Sequence, residues 1–177
     1  MKRIIALVLI VLTLPTAAFA ALAVGNVAPS FRTQASLAGK PYDFDLDAAL
    51  RNGPVVLYFF PAAFSSDCTL EARAFAEAEE KFKAQGALVI GVTAGNIARV
   101  QEFSVVECRN KFPVAADPGA RITKLYKAVL PFTASSQRIS YVITPDRKIA
   151  HVVSALSPTT HVIKTLDAVT AWRRAHR

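Results

Sequence analysis

The sequence is thin in the residues that build metal and haem centres. Its 177 residues hold two cysteines, three histidines and one methionine. His151, His161 and His176 are scattered, and no C-x-x-C-H haem-attachment run occurs, so neither a metal nor another cofactor is expected. C-x-x-C is absent as well. Position 65 is Ser and position 71 is Glu on either side of Cys68, which excludes the usual dithiol oxidoreductase motif. The carboxylate pairs Asp45/Asp47 and Glu79/Glu80 read as solvated strand and helix charges. No repeat, low-complexity stretch or linker breaks the chain, and its length suits one domain. Charged residues make up 19% against 53% hydrophobic, which argues for a packed core and against disorder.

Long apolar runs are also missing, with one short exception at the N-terminus. Lys2 and Arg3 precede an apolar run from Ile4 to Leu14, Pro15 breaks it, and Ala18-Phe19-Ala20 supplies small residues at a cleavage position. Eleven apolar residues are too few to span a bilayer, so residues 1–20 read as a secretory signal peptide and 21–177 as the mature domain. No Cys follows the run and no twin-Arg pair precedes it, which excludes a lipoprotein and a twin-Arg signal. The expected location is periplasmic or secreted, with no stable membrane association.

Without Lys2 and Arg3 the chain keeps 19 basic against 13 acidic residues, a balance of +6. A basic domain can meet nucleic acid or anionic surfaces. Here the positive charges are dispersed, and the one cluster, Arg173, Arg174, His176 and Arg177, complements a helix C-terminus. Nucleic-acid binding also conflicts with export. The two cysteines, Cys68 and Cys108, can be a staple, a redox couple or two free thiols in an oxidising compartment. A domain of this size does not need a staple to fold.

Period and breaker residues predict the elements. Val24 to Arg32 reads as a loop and short strand, Gly39-Lys40-Pro41 as a turn, and Tyr42 to Leu46 as a half-buried strand. Asp47 is placed to cap a short helix through Arg51. Val55 to Phe60 is a central strand buried on both faces. Ser65, Ser66 and Asp67 are candidate caps for a helix to about Gln85, with Leu70, Ala74, Ala78 and Phe82 on its apolar stripe. Then follow a strand over Ala87–Val92, a helix from Ile97 to about Asn110, a short strand at Val114–Ala116 and a helix over Arg121–Lys127. A hairpin of Ile139–Ile143 with Ile149–Val153 and a helix from Pro158 to Arg174 complete the chain. Crossover helices between buried strands imply a mixed sheet with helices on both faces. The βαβ unit followed by ββα is the thioredoxin-like arrangement, with an N-terminal extension.

Cys68 falls in the first turn of a helix leaving the carboxyl end of the central strand. Ligands gather at that edge of α/β sheets, and the free N–H groups of a helix start favour a thiolate. A buried cysteine acting as a small hydrophobe is the alternative.

Pro61-Ala62-Ala63-Phe64-Ser65-Ser66-Asp67-Cys68 has the spacing P-x-x-x-S-x-x-C and resembles the peroxidatic motif of the peroxiredoxins. Gly25 to Phe31 resembles that family's G-x-x-A-P-x-F opening, Cys68 to Ala72 matches C-T-x-E-A, and Arg138 to Ile143 resembles the strand with its active-site arginine. The resemblance spans the mature chain and points to the monomeric, bacterioferritin-comigratory-protein type. It implies a thiol-dependent peroxidase, in which Cys68 attacks the O–O bond of hydrogen peroxide or an organic hydroperoxide and becomes a sulfenic acid. Arg138, the Ser65 hydroxyl and nearby N–H groups would stabilise the leaving oxygen, Pro61 would pack over the sulfur, and Glu71 would orient Arg138. Each also has an ordinary reading: helix cap, strand-end charge, strand stop or solvated carboxylate. One version of this type carries its resolving cysteine five residues after the first; Arg73 stands there. Cys108, on the following crossover helix, takes the resolving role by the resemblance, closing an intramolecular disulfide. A thiol reductant, by analogy an exported thioredoxin-like protein, would reopen it. The other reading is an exported redox or structural domain with a permanent Cys68–Cys108 bond.

Overall fold

All five residues of β3 (Val55–Phe59) are buried, as expected of an apolar run covered on both faces. This strand lies inside a seven-stranded mixed sheet of order β2-β1-β5-β4-β3-β6-β7 in a computed structural model that describes residues 21–130 and 132–176. The signal-peptide reading of residues 1–20 lies outside the described residues. β3 runs parallel to β4 (Leu88–Thr93), and β4 runs parallel to β5 (Val114–Ala116). β6 (Ile139–Ile143) lies antiparallel to β3 and turns back into β7 (Ile149–Ser154). β1 (Arg32–Leu37) and β2 (Lys40–Asp45) extend the other edge in antiparallel register. The thioredoxin-like architecture is therefore present, with the N-terminal segment joined to the β6–β7 turn through Gly25 N–H to Ile149 O and Ala28 N–H to Arg147 O, both 2.8 Å.

Side-chain alternation along β3 splits the core in two. Val56 and Tyr58, with Phe60 just beyond the strand, face α2 (Ser66–Ala84), α3 (Val100–Val106) and α5 (Pro158–Ala175). Val55, Leu57 and Phe59 face α1 (Leu46–Leu50) and α4 (Arg121–Leu125). Both faces are thus covered, and the site can form only where the strands end.

Four local expectations are corrected. β1 begins at Arg32 and runs to Leu37; RTQASL lacks an alternating apolar pattern, and pairing with β2 and β5 makes it a strand. The cap of α1 is Asp45, whose carboxylate accepts from Ala48 N–H at 3.2 Å. Asp47 lies inside the first turn and accepts from the Ser30 hydroxyl instead. The stripe of α2 runs through Cys68, Glu71, Ala72, Phe75, Ala78 and Phe82, leaving Leu70 exposed, because two helices and the sheet set the buried side. The long helix expected from Ile97 begins as a 3-10 turn and ends as α3 at Val106. Val105 and Val106 are weak helix formers, and Arg109 and Asn110 adopt left-handed backbone, which stops the helix before Cys108.

Candidate active site

The β3–β6 register pairs Phe59 with Ile139, and one step further it brings Arg138 beside Phe60, at the end of β3 where the chain turns toward α2. Cys68 is the third residue of α2, and Glu71 follows one turn later on the same face. Three side chains distant in sequence therefore meet. Arg138 Nη2 donates toward Cys68 Sγ at 3.6 Å, and Nη1 donates to Glu71 Oε2. Glu71 is 0% exposed. Burial pushes its carboxyl up to about 8, against the pull of the Arg138 guanidinium.

The turn between β3 and α2 is held from both sides. Ala63 N–H donates to Gly95 O at 3.3 Å, and the Asn96 amide donates to Ala63 O at 2.9 Å. Gly95 approaches so closely that a Cβ there would come within 2.2 Å of Pro61 O, so this position has room only for glycine. On the other side a buried polar chain braces the segment leading to Arg138. Asp117 accepts from Thr123 N–H and its hydroxyl at 2.8 and 2.7 Å, and Thr123 meets the Ser136 hydroxyl at 3.2 Å. Phe64 takes a left-handed conformation (φ 65°) and packs edge-on against Phe103 of α3, with the Arg99 guanidinium 3.8 Å above its ring.

Among the residues predicted from sequence, Cys68, Glu71 and Arg138 are brought together. Pro61 and Arg138 line one open groove of about 540 Å³ with Leu130, Ala155 and Leu156. Ser65 is the N-cap by backbone, yet its hydroxyl donates to Ala62 O at 3.2 Å and caps no N–H. The sulfur itself is not open to solvent. Cys68 is 1% exposed, tucked under the turn, and Arg138 is the part of the cluster that faces the groove. Cys108 is a free thiol, as is Cys68, and it sits past the end of α3 in the same core cluster. Burial, with Glu107 adding, pushes the Cys108 thiol well above its ordinary range.

Sequence reasoning missed His161, Ser140 and Gly95. His161, one of three scattered histidines in the sequence, is buried on α5 against Ser140 and Glu71. Only the apolar neighbours of His161 in a helix start hinted at burial. Among the described residues no group of three or more His, Cys, Asp or Glu is placed to hold a metal ion.

A thioredoxin-like domain that sets a lone thiol, in place of a dithiol pair, at the carboxyl end of its central strand beside a guanidinium belongs to the thiol-based oxidoreductases. The comparisons with known proteins narrow this further. Residues 24–152 match the AhpC/TSA family, and the chain belongs to that family. The chain is similar to a chloroplastic peroxiredoxin Q of Oryza sativa subsp. japonica, 29% identical over 144 residues, 80% of this chain and 64% of that protein. The crystal structure of peroxidoxin BcpB from Mycobacterium tuberculosis superposes with a TM-score of 0.76 at 26% identity, covering 84% of this chain and 96% of that one. AhpC of the same organism, at 17% identity and a TM-score of 0.73 over 86% of this chain and 95% of that one, shares the fold. The protein is a peroxiredoxin, a thiol-dependent peroxidase.

Proposed function

We propose that Cys68 is the peroxidatic residue and that it reduces hydrogen peroxide and organic hydroperoxides. The observation carrying this reading is the 3.6 Å approach of Arg138 Nη2 to Cys68 Sγ at the rim of an open groove. The thiolate sulfur attacks the nearer peroxide oxygen, the O–O bond breaks, and Cys68 becomes a sulfenic acid. The departing alkoxide or hydroxide takes a proton and leaves as alcohol or water. Arg138 stabilises charge on that oxygen as it develops. Pro61 walls the groove, Glu71 orients the guanidinium, and Ser65 contributes its hydroxyl once substrate draws it from Ala62.

Cys108 resolves the sulfenic acid. Its thiolate attacks the oxidised sulfur, the S–O bond breaks, hydroxide leaves and takes a proton to become water, and a Cys68–Cys108 disulfide forms within one chain. A disulfide requires Cα atoms about 4.4–6.8 Å apart. A buried thiol with a raised pKa is a poor nucleophile, so the segment around Cys108 and the first turn of α2 open before the bond closes. Two electrons from an external dithiol then restore both thiols. The basic N-terminal segment followed by an apolar run and Ala-Phe-Ala supports export to the periplasm or beyond, and an exported enzyme draws on an exported thioredoxin-like reductant. The resemblance to the bacterioferritin-comigratory-protein type supports a monomer.

The test is peroxide consumption by the wild type and by Cys68→Ser, with intact-mass analysis after one equivalent of peroxide. Loss of turnover in Cys68→Ser and a wild-type monomer lighter by two hydrogens are expected. Equal rates sink the assignment of Cys68. A persistent sulfenic acid or a linked dimer sinks the assignment of Cys108.

A further inference from the structure

The peroxidase site rests on a buried histidine. His161 lies in the first turn of α5, which packs against α2, and it is 0% exposed. Its Nε2 is 2.9 Å from the carbonyl oxygen of Ala155. A carbonyl only accepts, so Nε2 carries the hydrogen. Burial holds the imidazole below its ordinary range, which favours the neutral ring, and Nδ1 is then a bare lone pair. The Ser140 hydroxyl donates to that lone pair at 2.8 Å and fills it, so Glu71 Oε1, 3.8 Å from Nδ1, receives no hydrogen from His161. Oε1 is buried and has no hydrogen-bond partner among the described residues.

These contacts decide which form of Glu71 fits. An ionised Oε1 would hold its negative charge in a dry core with no donor to answer it. A protonated Oε1 carries no charge and avoids that cost, while Oε2 still accepts from Arg138. The charged and titratable groups around the imidazole are Glu71 of α2 and Arg138 ahead of β6. Cys68 and Tyr58 lie behind Glu71.

We propose that His161 is a positioning residue of the peroxidase: its locked tautomer keeps the proton on Glu71 Oε1, so that the positive charge of Arg138 acts undivided on the Cys68 sulfur and the departing peroxide oxygen. This rests on the peroxidase reading above and extends it to a residue that touches neither sulfur nor substrate. When Glu71 ionises, Arg138 is shared between two anions and the reaction with peroxide slows. The wild-type rate therefore falls on the alkaline side as Glu71 loses its proton. His161→Asn puts an amide in place of the imidazole, which can turn N–H toward Oε1 and favour the ionised carboxylate.

The test has two arms. In single-turnover kinetics, His161→Asn should move the alkaline fall of the peroxide rate constant to lower pH by about one unit, with a loss of about threefold near pH 7.5 and little change near pH 6. In a Glu71→Gln background the same substitution should add nothing to the pH profile. An equal loss at every pH, with and without Glu71→Gln, would show a structural role only and overturn the proposal. The second arm needs no His161 variant. The infrared C=O stretch of a protonated carboxyl, assigned by its loss in Glu71→Gln, should be present in the reduced wild type at neutral pH and titrate away above it. Its absence at neutral pH overturns the proposal. A wild type that consumes no peroxide fails the peroxidase reading instead, and the infrared band then decides the state of Glu71 by itself.

Discussion

Arg73 Nε donates to Glu107 Oε2 across 2.7 Å, tying the outer side of α2 to the residue just before Cys108. Two further pairs continue the seam: Glu77 with Arg109 at 3.2 Å and Glu80 with Lys111 at 3.1 Å. Arg73, Glu77 and Glu80 lie on one stripe of the helix, so a single helix side clips the whole 107–111 segment. The residue at the position of the alternative resolving cysteine thus holds the actual candidate in place.

This seam predicts a salt effect on resolution. Exposed ion pairs of this kind are weak and screened by salt. Glu77→Gln combined with Glu80→Gln should therefore speed disulfide formation after peroxide by about two- to tenfold, and raised salt should do the same to the wild type. Quenched-flow sampling with non-reducing mass analysis reads the rate. Unchanged rates would mean that this segment does not have to open.

Arg138→Lys should lower the rate constant with peroxide by about 10²–10³-fold while far-ultraviolet circular dichroism stays unchanged. A lysine ammonium is one point charge and cannot serve Cys68 and Glu71 from two separate nitrogens as the guanidinium does. Retention of most of the rate would remove Arg138 from the mechanism.

The raised pKa of Glu71 also appears in stability. The folded state holds this proton up to about 8, whereas an unfolded chain releases it near the ordinary 4.5. Between those values the folded state binds more protons, so stability falls as pH rises through that window. The thermal midpoint of the wild type should drop relative to Glu71→Gln from about pH 5 to about pH 8. Parallel curves for the two proteins would contradict a neutral Glu71.

Tyr58 predicts opposite outcomes for two substitutions that meet at its ring. Its hydroxyl is buried without a partner among the described residues, and the ring stacks on Phe75 and Phe60 at centroid distances of 4.6 and 5.4 Å. Tyr58→Phe should be neutral or stabilise by about 1 kcal/mol in urea denaturation, since it removes an unpaired polar atom. Gly91 of β4 lies under the same ring, and a Cβ there would come within 2.7 Å of it. Gly91→Ala should cost about 1–3 kcal/mol.

The features readable in one dimension were local. The all-apolar Val55–Phe60 run, the breakers around it and the spacing from Pro61 to Cys68 placed a thiol at a helix start, and the structure keeps that placement. The helix from Pro158 and the hairpin over 139–153 were readable for the same reason, since periodicity and turn residues act between near neighbours. Elements shaped by partners escaped. β1 has no pattern of its own and becomes a strand by pairing, and α3 stops at Val106, where the chain turns back to meet the ion pairs of α2.

The sequence by itself determined the chemistry on offer: one thiol at a strand's end and an arginine in a strand-forming run. Only the tertiary structure decided the charge state of the site. It buried Glu71 under α5 and left its Oε1 without a donor, 3.8 Å from a His161 nitrogen that carries no hydrogen. The physical reason is that a pattern along the chain records which residue types are present, whereas desolvation and hydrogen-bond partners depend on segments brought together from 67 and 70 residues away, the separations of Arg138 from Glu71 and Cys68.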